Sequence, residues 1–193
     1  MRVMCGLMIL LASFWAQAQL NLELQQELLN METEDQGIRK VFEEKGWENI
    51  STELHEEMLR IDEKNTKRVK EILDQHGWPT KDLIGEEGML AVFLIIQHSP
   101  DIDFQRSMLP LLTSSYENNE GISGQDVALL TDRVRVNLGQ KQLYGTQLEV
   151  VEGRLVFLPI EDEENVDQRR AKMDMIPLAE YLKMVEEVYQ SRE

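Results

Sequence analysis

Residues 20–45 read LNLELQQELLNMETEDQGIRKVFEEK. Leu24, Leu28, Met31, Asp35, Ile38 and Phe42 recur at steps of four and three, the spacing of one helix face. All are apolar except Asp35, a carboxylate in the middle of the stripe. A helix that buries this face buries Asp35 with it. An unpartnered neutral polar group costs about 1–7 kcal/mol to bury, and a charge costs more. Asp35 therefore predicts other polar groups facing it. Leu20 to Lys45 reads as a first helix, packed against others and stopped near Gly46.

The pattern repeats downstream. Leu54, Met58, Ile61, Asn65, Val69 and Ile72 form a second stripe, with an amide in it and Asp62 beside it. This helix can be capped by Asn49, Ser51 or Thr52. It runs to about Gln75, and His76-Gly77-Trp78-Pro79 ends it, because Pro cannot continue the ladder. Trp47 falls in the connection before it. A loop through Gly85 leads to a third helix, from about Glu86 to His98. Its apolar run Leu90 to Ile96 reads as buried and ends on Gln97 and His98. Ser99-Pro100-Asp101 opens a fourth helix to about Asn118, and a fifth covers about Gln125 to Asn137. Gln142 to Val151 and Arg154 to Pro159 then read as strands joined by a Glu152-Gly153 turn. Glu161 to about Lys172 reads as a short helix, and Pro177 opens a last one over Leu178 to Gln190. The expected fold is mainly α: a single-domain helical bundle with a small β-hairpin in the C-terminal third.

Residues 1–18 read as a signal peptide rather than as part of that fold. Arg2 precedes an apolar run, Val3 to Trp15, too short to remain as a membrane span. Ala16-Gln17-Ala18 offers small residues at the two positions a signal peptidase reads. The domain is then 19–193, in a protein that is periplasmic or secreted from a bacterium. Cys5 is the only cysteine and leaves with the signal, so the remainder forms no disulfide and no thiolate metal site. The chain carries a net charge of −16, a surface that repels nucleic acid and anionic lipid. After the signal no apolar stretch is long enough to span a membrane.

Several polar residues are candidates for chemistry. Gln97 and His98 end a buried helix, with Asp101 three residues on and Gln105 beyond it. His98 and Asp101 form either a histidine–carboxylate pair or two helix caps, and capping is the simpler reading. Arg133 has apolar neighbours in Leu129, Leu130 and Val134. It needs a carboxylate, Asp35 or Asp62, or a ligand anion. Arg39 follows Asp35 by four and can pair with it. In Tyr144-Gly145-Thr146-Gln147, strand alternation places Tyr144 and Thr146 on one face, Gly145 and Gln147 on the other. Asp167, Arg169 and Arg170 fall in a charged segment that reads as a solvated face. His55, His76 and His98 are the only histidines and have no zinc-site spacing, so no metal ligands are assigned. Nothing names a cofactor or an oligomeric state.

In order along the chain stand Asp35-Gln36 with Arg39, Asp62 with Asn65, His76-Gly77-Trp78-Pro79, Gln97-His98, Asp132-Arg133-Val134, Gly139 with Gln142, and Tyr144-Gly145-Thr146-Gln147. Arg169-Arg170 completes the series. This combination resembles an uncharacterised bacterial domain-of-unknown-function family, family 6624. The resemblance implies a shared fold and a shared polar cluster, but no substrate and no mechanism.

Two functions fit these residues. In one, a pocket takes a small polar or anionic ligand. His98, Asp62 and Asp132 are its candidate catalytic groups. Asp35, Arg39, Asn65, Gln97, Arg133, Gln142, Tyr144 and Gln147 are its candidate binding groups. His98, Arg133 and Tyr144 are then expected within about 3–7 Å of one another, directly or through water. In the other, the same residues satisfy one another in a closed internal network without chemistry.

Overall fold

Four of the helices begin on a side-chain oxygen that accepts an otherwise orphaned backbone N–H. Asn21 accepts from Leu24, Ser51 from Leu54 and Asp101 from Phe104. Ser123 and Asp126 form a reciprocal capping box. The computed structural model describes residues 20–46 and 49–190. Residues 1–18, expected from the sequence to be a signal peptide, and Trp47 lie outside these residues. The helices are α1 (Leu22–Lys45), α2 (Thr52–His76), α3 (Lys81–His98), α4 (Ile102–Glu117) and α5 (Gly124–Asn137). An antiparallel hairpin follows, β1 (Leu148–Val151) and β2 (Arg154–Phe157), with Leu148 opposite Phe157. A 3-10 turn at Glu163–Asn165 leads into α6 (Val166–Ala171), and α7 (Leu178–Gln190) ends the described chain.

The α3 helix lies at the centre. Ile84, Met89, Ala91, Val92, Phe93, Ile95 and Ile96 are all buried, so most of its circumference is apolar and covered. Its neighbours α1, α2, α4 and α5 contribute Leu24, Leu28, Met31, Val69, Ile72, Leu112, Leu130 and Val134 to one core. Each fully buried side chain of this kind contributes about 1.5–3 kcal/mol. The expected stripes hold: Asp35 and Asn65 are each only 1% exposed. Asn65 donates a long bond to the Met31 carbonyl, 3.4 Å, and its Oδ1 has no partner.

The structure departs from the sequence reading in three places. The predicted loop before Gly85 is a helical turn, so α3 starts at Lys81 and kinks at Gly85, where φ is 72° and ψ 171°. A Cβ there would sit 2.5 Å from Gln25 Nε2, so glycine both turns the chain and admits α1. Leu90 is exposed rather than buried, because it faces away from the core on the groove beside Ile122. The strands are also shorter than predicted. Residues 143–147 form no ladder, because their N–H groups bond to side chains instead of to a neighbouring strand. At Gly145 φ is 70°, and a Cβ would lie 2.5 Å from Leu178 Cδ1.

Candidate functional site

Asp35 and Arg39 stand one turn apart on α1, facing Asp62 of α2, the C-terminal end of α3, and Arg133 of α5. Burying Asp35 is tolerable only if its oxygens are bonded, and both are. Oδ1 accepts from Arg39 Nη1 at 2.9 Å and lies 3.0 Å from His98 Nδ1. Oδ2 lies 2.9 Å from the same Nδ1 and accepts from Gln36 Nε2 at 2.7 Å. Arg39 Nη2 reaches across to both oxygens of Asp62, at 2.9 and 3.0 Å. The result is a chain of four groups: His98, Asp35, Arg39, Asp62.

The chemistry of the donors fixes one tautomer. An ionised Asp35 only accepts, so Nδ1 of His98 carries the proton and Nε2 is left for another partner. The His98 side chain is 17% exposed and that of Arg39 is 15% exposed, so the outer edge of the cluster meets solvent. Burial raises the Asp62 carboxyl above its usual range, against the pull of the Arg39 charge and hydrogen bond. The Asp35 charge adds to the rise and His98 opposes it.

Arg133 is half-buried beside this chain. The expectation that Asp35 or Asp62 pairs with it is not met, because Arg39 already holds both carboxylates. With the Gln97 amide oriented to suit its neighbours, Oε1 accepts from Arg133 Nε at 2.7 Å and Nη2 at 3.2 Å. Among the described residues no carboxylate lies within ion-pair reach of Arg133. Burial and the Arg39 charge lower its pKa, and only Asp62 acts to raise it.

A second set of bonds starts one residue earlier on α5. Asp132 is fully buried. Its Oδ1 accepts from the backbone N–H of Leu143 at 2.6 Å and of Tyr144 at 3.1 Å. Its Oδ2 accepts from Tyr144 N at 3.1 Å, and from Thr146 N and Oγ1 at 3.0 Å each. The carbonyls of the same loop are held from α6: Arg169 Nε donates to Leu143 O at 2.8 Å, and Arg170 Nη1 to Tyr144 O at 2.6 Å. Arg170 is 1% exposed, stacks on Tyr181 and also donates to Ile176 O. Gln142 donates to the carbonyls of Gln147 and Leu158 and accepts from Gln147 N.

A model of a family of unknown function, DUF6624, matches residues 22–192. The chain belongs to that family. No curated protein and no solved structure matches it.

Within this DUF6624 chain the predicted site residues divide. Asp35, Arg39, Asp62, Gln97, His98 and Arg133 converge from four helices. Asp132, Gln142, Tyr144 and Gln147 belong to the clamped loop, and Asn65 bonds toward Met31 instead of joining the ion chain. No hydrogen bond joins Tyr144 to His98 or Arg133 among the described residues. The charges acting on the Tyr144 hydroxyl, which burial raises, are those of Asp132 and Arg169. His98 pairs with Asp35, while Asp101 caps α4 and holds Lys70. Gln105 is a surprise: its Nε2 donates to the carbonyls of Ile96, Gln97 and Ser99, closing the end of α3. Arg170, read from sequence as part of a solvated face, is buried, because its partners are carbonyls distant in sequence. Among the described residues no group of three or more His, Cys, Asp and Glu side chains could hold a metal ion.

Proposed function

We propose that the cluster of Arg133, Gln97, His98 and Arg39 takes a small polar or anionic ligand, in an exported bacterial protein. The supporting observation is Arg133: a half-buried guanidinium whose hydrogen-bond partner is a neutral amide. An anion satisfies such a group better than an amide does, because it brings the opposite charge and a second oxygen, so that the guanidinium fork is met by two parallel bonds. His98, with Nδ1 held by Asp35, offers Nε2 as a proton acceptor or donor to what binds beside it. Asp132 is left out of the ligand's contacts, because its oxygens are taken up by the 143–146 loop.

The test is a thermal-stability screen of small phosphates and carboxylates. A ligand at a hundred times its Kd adds about 2.7 kcal/mol, or about 5–10 °C in a domain of this size. Arg133→Lys is expected to remove most of that shift while leaving the helical circular dichroism unchanged, because a point charge does not reproduce a planar fork. A shift that survives in Arg133→Lys places the ligand elsewhere. Export is checked separately: N-terminal mass analysis of the secreted or periplasmic protein is expected to read Gln19 first, and an intact Met1 in the membrane fraction refutes it.

A second reading, a closed network that fixes helix register, is favoured by the full pairing of the Asp35 and Asp62 oxygens. A groove of about 490 Å³ between α1 and α2, lined by Ile38, Val41 and Ile61, includes none of the cluster residues in its lining. Under that reading no member of the screen stabilises the protein.

A further inference from the structure

The Nε–Nη2 edge of a guanidinium carries two parallel N–H bonds, spaced to meet the two oxygens of a carboxylate or a phosphate. In Arg133 that edge meets one oxygen, Gln97 Oε1, at the unequal distances of 2.7 and 3.2 Å. One neutral oxygen shared by two donors fills the seat of an oxyanion without matching it. In that orientation the bonds that hold the Gln97 side-chain oxygen are these two from Arg133. Its main chain, by contrast, is anchored: Gln105 Nε2 donates to the Gln97 carbonyl at 2.9 Å, and to the carbonyls of Ile96 and Ser99. The amide can therefore leave Arg133 by rotating about its own side-chain bonds while the end of α3 stays in place.

We propose that Gln97 is a displaceable stand-in for the ligand, and that the ligand presents two coplanar oxygens of a carboxylate or phosphate group to Arg133. This rests on the ligand-binding reading above and adds the residue that sets its affinity. Displacing the amide costs the ligand part of its binding energy, so removing the amide tightens binding. A carboxylate at position 97 fills the seat permanently.

The experiment follows the Arg133 Nε–H resonance in ¹H–¹⁵N spectra of the purified protein, assigned by its loss in Arg133→Lys. Inorganic phosphate and acetate are titrated separately, which distinguishes the two oxyanion sources. Gln97→Ala is expected to bind the responding anion at least threefold more tightly than the wild type. Gln97→Glu is expected to bind it at least tenfold more weakly. If the wild type responds at Arg133 and both variants bind within twofold of it, the stand-in is overturned and the ligand reading survives. If neither wild type nor Gln97→Ala responds to either anion, both fall. A response in Gln97→Ala alone supports the stand-in. Should Gln97→Glu fail to fold, the Gln97→Ala affinity decides.

Discussion

Asp132→Ala is expected to lower folding stability by about 3–5 kcal/mol, seen as a fall in the urea midpoint with little change in slope. The carboxylate accepts three backbone N–H groups and the Thr146 hydroxyl in a fully buried position. Each donor left without an acceptor in such a place costs about 1–3 kcal/mol. Water entering the vacated space recovers some of this, which keeps the total near the lower sum. Asp132→Asn keeps one acceptor oxygen but turns an NH₂ group toward backbone donors, so it is expected to recover only a minority of the loss. A change below about 1 kcal/mol for Asp132→Ala would show that Arg169 and Arg170 alone hold the loop through its carbonyls.

This carboxylate also marks the limit of what the sequence discloses. The helices were legible because their signals are local: four-and-three spacing, cap residues, and Gly or Pro at the ends. Asp35 and Asn65 were legible as buried for the same reason, since each sits on an apolar stripe. The partners were not. Nothing in the spacing says that Arg39 reaches Asp62 as well as Asp35, or that His98 turns to Asp35 rather than to the nearer Asp101. Those choices depend on how α1, α2 and α3 lie against one another. Tyr144 to Gln147 shows the same limit in reverse. Its alternation resembles a strand, but Asp132 on α5 takes the N–H groups of Tyr144 and Thr146, and Gln142 takes that of Gln147. Arg170 was hidden because its partners are carbonyls at Tyr144 and Ile176 and a ring at Tyr181, none of which a charge pattern can show.

Arg39→Met is the substitution expected to disturb the site most, and its effect should depend on pH. The variant keeps an unbranched side chain of similar reach but removes the group that joins two buried carboxylates. Asp35 retains His98 and Gln36, whereas Asp62 loses the hydrogen bonds to its two oxygens. Breaking a buried pair by deleting one partner costs about 3–5 kcal/mol. The Asp62 carboxyl already lies above its usual range through burial, and Arg39 is the largest influence holding it down. Without Arg39 it rises further, so the folded state keeps a proton that the unfolded chain releases near pH 3.9. A folded state that binds more protons loses stability as pH increases. The loss in Arg39→Met should therefore be smaller at pH 5 than at pH 7.5, in urea titrations run at both. Asp62→Asn in the Arg39→Met background removes the carboxyl whose titration is at issue. It should flatten the added pH slope and restore part of the stability at pH 7.5. A stability difference between Arg39→Met and wild type that is the same at both pH values would mean that Asp62 stays charged without Arg39, held by solvent or by Arg133.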